Sequence, residues 1–143
     1  MRRLTLALLL VVIALPAMAA DRPVHTYSIV ARDAETGEMG VAVQSHWFSV
    51  GSIVTWAEAG VGAIATQSFV DPAYGPRGLE LMKSGLSAEE ALEALLLVDD
   101  GRDVRQVAFV DTSGDIAAHT GAKCIDATGH HVGDGYSVQA LSL

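Results

Sequence analysis

Between residues 50 and 66 the apolar residues of this chain run together instead of alternating with polar ones. A strand with one wet face alternates; a continuous apolar run belongs to a sheet covered on at least one face by helices. Such a stretch needs a partner layer to bury it, so it restricts the chain to a layered fold. Two strands are expected there, over 50–56 and 60–66, joined by a turn at Glu58-Ala-Gly60. Gly51, Gly60 and Gly62 leave gaps in any sheet face, and something must pack closely against them.

The flanking segments supply the other layers. Tyr27, Ile29 and Ala31 alternate with Ser28 and Val30, which predicts a strand over 26–32. Asp33 and Gly37 suit a turn, and a second strand over 39–43 completes a hairpin. Pro76 fits the first turn of a helix running to about Lys83, with Gly85 as its stop. Ser87-Ala-Glu-Glu90 is a capping box that opens a second helix. Its buried stripe is Ala88, Ala91, Leu92, Leu95 and Leu96, while Glu89, Glu90 and Glu93 face water. A second hairpin is expected over 105–110 and 116–120, turning at residues 111–114. Residues 121–135, rich in Gly and His, are expected to be loop. An alternating segment then starts at Tyr136 and is still running at Leu143. The order is strands, two helices, strands, which fits a layered α+β sandwich in one domain over 20–143.

Residues 1–19 have the form of an export leader. Arg2 and Arg3 precede the apolar run from Leu6 to Leu15, and Ala17-Met-Ala19 offers small residues for cleavage. The run is shorter than the roughly 20 residues needed to span a bilayer, so no stable membrane insertion is expected and the location is periplasmic or secreted. The whole chain carries −8; loss of Arg2 and Arg3 would leave −10. With no basic patch, nucleic acid and anionic membranes are excluded as partners. The single cysteine, Cys124, excludes an internal disulfide framework and is expected to be a buried or half-buried small group.

Several stretches resemble an uncharacterised bacterial family, the DUF1028 proteins. They are Thr26-Tyr-Ser-Ile-Val-Ala-Arg-Asp33, the segment from Thr36 to Ser45, the segment from Ala59 to Gln67, Tyr74-Gly-Pro-Arg-Gly78, Gly85 to Ala91, and Gly121 to Tyr136. The resemblance implies an α-β-β-α sandwich similar to N-terminal-nucleophile hydrolases, with no established substrate. It also implies that the family pattern continues after Gln139, where this chain has Ala140-Leu-Ser-Leu143. The sandwich is therefore expected to be incomplete at its C-terminal end. Unpaired strand edges would favour a homo-oligomer that completes the sheet between chains.

Thr26 is the candidate nucleophile. In such enzymes a Ser, Thr or Cys becomes the first residue, and its own α-amine takes the hydroxyl proton. The reaction would be attack on an amide carbonyl, with an oxyanion held by backbone amides near Gly60 and Gly62. Cleavage after Ala19 would leave six residues ahead of Thr26, so a second cut after His25 is required. The alternative is that Thr26 merely leads a strand in a non-catalytic binding or assembly domain.

Ser45 and His46 are adjacent at the end of the second strand, point to opposite faces, and could each line a cleft singly. Gln67, Asp71 and Tyr74 fall on the predicted loop after a buried strand, where binding groups are common, and Arg77 could pair with Asp71 or bind a carboxylate. Ser45, Gln67, Asp71, Tyr74 and Arg77 are thus candidates for binding a small molecule or peptide, with turn formation as the competing role. No cofactor and no metal are expected. Cys124, His119, His130 and His131 lack the spacing of a compact zinc site, and a Cys124–His130 nucleophilic pair would need an exposed thiol of lowered pKa.

Overall fold

A computed structural model describes residues 25–141. The expected export leader lies outside the described residues. Among those residues no helix is long and apolar enough to cross a membrane.

The chain opens with the expected hairpin, β1 (Thr26–Arg32) and β2 (Met39–Gln44). Asp33 Oδ1 accepts the amides of Glu35 at 2.9 Å and Thr36 at 2.7 Å, and Gly37 takes φ +73°. A short helix α1 (Gly51–Val54) leads into β3 (Thr55–Glu58) and β4 (Gly62–Ser68). The long helices follow, α2 (Tyr74–Lys83) and α3 (Ala88–Val98). Then come β5 (Arg105–Asp111), β6 (Ile116–Thr120), β7 (Gly129–Gly133) and β8 (Tyr136–Leu141).

Local signals set the helix ends. Gly85 at φ +106° closes α2 in a Schellman arrangement, its amide bonding Met82 O and that of Leu86 bonding Leu81 O. The capping box of α3 is formed in both directions, Glu90 N to Ser87 Oγ at 3.2 Å and Ser87 N to Glu90 Oε2 at 2.9 Å.

Two expectations are corrected. Residues 50–56 are not one strand. Gly51–Val54 is helical despite its β-branched residues, and extended structure starts at Thr55. Two hydroxyls hold that turn: Thr55 Oγ1 donates to Gly51 O at 2.8 Å and Thr66 Oγ1 to Ile53 O at 2.9 Å. Tertiary contacts here override weak β propensity. Residues 121–135 are not all loop, since β7 pairs antiparallel with β8 from Gly129↔Ala140 to Gly133↔Tyr136. Its Gly and His composition carries no strand signal; β8 supplies the ladder. Of the three glycines, only Gly62 is closely approached. A Cβ there would lie 2.6 Å from both Met82 Cε and Val110 O, whereas Gly51 and Gly60 face open space.

Two four-stranded sheets result, in the orders β2-β1-β8-β7 and β3-β4-β5-β6, with antiparallel pairing throughout. Alternation along β4 and β5 divides their side chains between two cores. Ile64, Val107 and Phe109 pack against Tyr74, Leu79, Met82, Ala88, Ala91, Leu92 and Leu95 of the helices. On the other face Ala63, Ala65, Ala108 and Val110 meet Val30 of the opposite sheet. Among the described residues the protein is therefore mixed α/β, with two stacked antiparallel sheets and three α-helices. Both long helices cover the β3-β4-β5-β6 sheet. Among the described residues the outer face of the other sheet, carrying Tyr27, Ile29 and Val138, is exposed.

Candidate functional site

Thr26 leads β1 on the face shared with Ser28 and Val30, which turns toward the second sheet. Antiparallel pairing with β2, Tyr27↔Gln44, brings the residue after β2 alongside it. The hydroxyls of Thr26 and Ser45 are hydrogen-bonded at 2.8 Å, and Ser45 Oγ also accepts the amide of Trp47 at 3.1 Å. Both residues are half-buried. His46, on the opposite face, is exposed with its ring 5.9 Å from that of Trp47.

Behind this pair the inter-sheet space is polar. Ser28 Oγ donates to Gln139 Oε1 at 2.7 Å and accepts from Gln67 Nε2. Gln139 Nε2 continues to Ser137 Oγ at 2.7 Å. Gln106 Nε2 reaches Thr120 Oγ1 at 3.1 Å and crosses to Gly129 O at 2.9 Å. Ser28, Gln67, Gln106, Ser137 and Gln139 are all buried. Period-two alternation puts them on the facing rows of β1, β4, β5 and β8. Buried polar groups are costly without partners, so this chain of amides and hydroxyls specifies how the two sheets stack. Two acceptors stand outside it. Gln67 Oε1 and Gln106 Oε1 have no partner, and their residues are directly opposite in the β4–β5 register.

The other sequence candidates are placed elsewhere. Gln67 is not on a loop; it is the penultimate residue of β4 and 2% exposed. Asp71 caps a turn, its Oδ1 accepting Ala73 N at 2.9 Å. Tyr74 belongs to a polar strut between the helices and β5. Its hydroxyl donates to Asp99 Oδ2 at 3.0 Å, which also takes Arg105 Nε at 2.9 Å. Arg105 Nη1 donates to Phe69 O at 2.5 Å. Burial, then the Asp99 hydrogen bond, push the Tyr74 phenol far up. The Arg105 hydrogen bond holds the Asp99 carboxyl below its ordinary value against the opposing effect of burial. Arg77 is exposed and lines a shallow recess with Asp71 and Tyr74. Asp71, Tyr74 and Arg77 therefore sit on the helical side of the β3-β4-β5-β6 sheet, while Thr26, Ser45 and Gln67 sit on its inner side.

The glycine amides expected to hold an oxyanion are also displaced. Gly62 begins β4 and Gln67 nearly ends it. Five strand residues span about 16 Å, which carries Gly60 and Gly62 away from the Thr26 end. Among the described residues, no three His, Cys, Asp or Glu side chains converge on a metal position. His119 Nε2 bonds Arg102 O at 2.9 Å, His130 Nδ1 bonds Thr120 Oγ1 at 2.7 Å, and Cys124 Sγ donates to Arg105 O at 3.4 Å. Cys124 and His130 are thus each engaged with another group, and His130 stands on β7 rather than in a long loop. Burial, reinforced by His119, lowers the His130 pKa.

Sequence reasoning missed Gln106, Ser137 and Gln139. Gln106 carried a signal, a polar residue in phase with the apolar Ala108 and Val110; Ser137 and Gln139 carried none, because β8 buries its polar phase and exposes Tyr136 and Val138.

Fold and site define a class: a two-sheet α/β protein with helices on one side and a half-buried hydroxyl pair beside a polar inter-sheet seam. The profile of a family of unknown function, DUF1028, matches residues 26–143, and the chain belongs to that family. It is similar to a Silicibacter pomeroyi protein of the same family whose crystal structure is solved. The likeness has a TM-score of 0.77 and 30% identity, covering 81% of this chain and 52% of that one. The chain thus spans about half the length of that relative. No curated protein matches the chain.

Proposed function

We propose that the protein is an amide-bond hydrolase of the N-terminal-nucleophile type, built on a sandwich of that kind, with Thr26 as nucleophile after export and processing. The observation that carries this reading is the 2.8 Å contact between the half-buried Thr26 and Ser45 hydroxyls at the head of β1, beside the polar seam. The hydroxyl at the head of β1 is neither deeply buried nor committed to the backbone, and a second hydroxyl holds its rotamer.

The chemistry follows from freeing one amine. Cleavage of the His25–Thr26 bond would give Thr26 an α-amine of pKa about 7.7–8.0, a suitable base near neutral pH. That amine takes the hydroxyl proton as Thr26 Oγ1 attacks the amide carbonyl. Collapse expels the substrate amine, which receives the proton, and leaves an ester on Thr26. Water then attacks the ester, releasing the acid and restoring the hydroxyl. Ser45 positions Thr26 Oγ1 throughout.

A second reading is a non-catalytic binding domain, which holds if the leader stays attached. His25 stands ahead of Thr26, its ring 5.8 Å from Tyr27, and with it attached Thr26 has no amine. Intact-mass analysis of the exported protein separates the two. A chain starting at Thr26, with turnover abolished in Thr26→Ala, supports the hydrolase. A mature chain that keeps His25 rules it out and leaves the binding domain.

A further inference from the structure

The segment joining β2 to α1 is the most exposed apolar feature of the described chain. Trp47 is 72% and Phe48 97% exposed. No charged side chain occurs from His46 to Ala57, in a protein of net charge −8. Exposed aromatic pairs of this kind mark places where something apolar binds. Its position says what it serves, because the Trp47 amide is bonded to Ser45 Oγ, which is bonded to Thr26 Oγ1. Two hydrogen bonds separate the aromatic tip from the candidate nucleophile.

The base of the segment is anchored while its tip is open. Val54 is buried, and the Ile53 carbonyl is held by Thr66 Oγ1 at 2.9 Å. Ser52 Oγ donates to Ser49 O at 3.2 Å. Ser49 adopts φ +56°, a left-handed conformation that a serine takes at some cost. Backbone strain held by surrounding contacts is a feature of binding loops. Here it follows directly on two solvent-facing rings.

We propose that Trp47 and Phe48 are specificity residues of the Thr26–Ser45 site, and that they receive an aromatic or large aliphatic side chain of a peptide-like amide. This rests on the reading of that site as an amide-binding one, though not on turnover. The rings offer flat apolar contact of the sort that binds such groups. The adjacent hydroxyls offer hydrogen bonds to the amide. The absence of charge along the segment disfavours acidic or basic substituents.

The test is binding to the full chain with its leader still attached, which keeps both hydroxyls and withholds the Thr26 α-amine that hydrolysis requires. N-acetyl-phenylalaninamide and N-acetyl-glycinamide are titrated separately, with Trp emission and amide NMR shifts as readouts. The phenylalanine amide is expected to bind at least about ten-fold more tightly, since burying most of an aromatic ring against apolar surface supports that ratio. Phe48→Ala and Trp47→Ala are each expected to remove most of the preference, with thermal midpoints unchanged because both side chains are exposed. Shifts should centre on residues 45–50. Equal affinity for the two amides, no saturable binding of either, or a preference that survives both substitutions would overturn the proposal. So would shifts confined to the outer face around Ile29 and Val138. A mature chain that keeps His25 would end the hydrolase reading while leaving this binding preference intact.

Discussion

Replacement of Asp111 should uncouple α3 from the sheet beneath it. Asp111 ends β5 and is 6% exposed. Its Oδ2 accepts the amide of Ala88, the first residue of α3, at 2.8 Å. Its Oδ1 accepts Ser113 Oγ at 2.6 Å, Ser113 N at 2.8 Å and Asp115 N at 3.1 Å. Asp111→Ala would leave the buried Ala88 amide without a partner, a loss of about 1–3 kcal/mol. It would also remove a carboxylate from a helix N-terminus, a further 0.3–1 kcal/mol or so. The turn amides can turn to water and add little. The total is about 3 kcal/mol, or roughly 12 °C in thermal midpoint for a domain of this size.

The effect should depend on pH in a stated direction. Burial alone would raise the Asp111 pKa, but the bonds from Ser113, Ala88 and Asp115 outweigh it and the net shift is downward. A group with a lowered folded pKa stabilises fully above its unfolded value, about 3.9, and loses that contribution as pH falls through the folded value. The margin of wild type over Asp111→Asn should therefore be constant from pH 5 to 7 and shrink below about pH 4. Urea denaturation followed by circular dichroism at pH 7, 5, 4 and 3 measures it, and thermal melts at pH 7 give the Asp111→Ala midpoint. A midpoint change under 2 °C for Asp111→Ala, or a margin as large at pH 3 as at pH 7, would refute the assignment.

Three further outcomes are expected. Ser28→Ala strips a partner from both Gln67 and Gln139 inside the seam, and should cost about 2–4 kcal/mol in urea unfolding, well above a surface serine change. Gly78→Ala would set a Cβ 2.5 Å from the Phe109 ring and 2.6 Å from Ile64 Cδ1; the overpacking should cost about 1–3 kcal/mol by the same measurement. Burial and the Asp99 bond keep Tyr74 protonated in strong base, so one phenol should be missing from the 295 nm titration of the native protein below pH 11, should appear on unfolding, and should be absent from both states in Tyr74→Phe.

The legible part of this protein was the part written in neighbouring residues. Asp33 and Gly37 declare their turn because an aspartate bonds the amides two and three positions on, and a glycine tolerates positive φ. Ser87 and Glu90 declare the start of α3 because a capping box closes within four residues. The stripe from Ala88 to Leu95 declares its buried face by period. The continuous apolar run of β4 announced a covered sheet, and β4 is packed on both faces. Thr26 at the head of β1 was also legible, since strand starts are local.

What the sequence left undecided depends on contacts between distant residues. Residues 51–54 turn helical where Thr66, on the neighbouring strand β4, holds a carbonyl alongside the local Thr55 bond, and β7 is a strand because β8 offers it a ladder. Gln67, Asp71 and Tyr74 lie within eight positions yet serve opposite sides of one sheet, because alternation and a single turn send them apart. Thr26 and Ser45, 19 positions apart, share a hydrogen bond, while Ser28 and Gln139 do so across 111. Composition and period report that an element has two unlike faces, though not always which one avoids water: β1 and β8 bury Ser28, Ser137 and Gln139 and expose Tyr27, Ile29 and Val138. They do not report which element will pair with it or face it, and that choice of partner assembled the site: the hydroxyl pair when β1 and β2 paired within one sheet, and the seam behind it when the two sheets stacked.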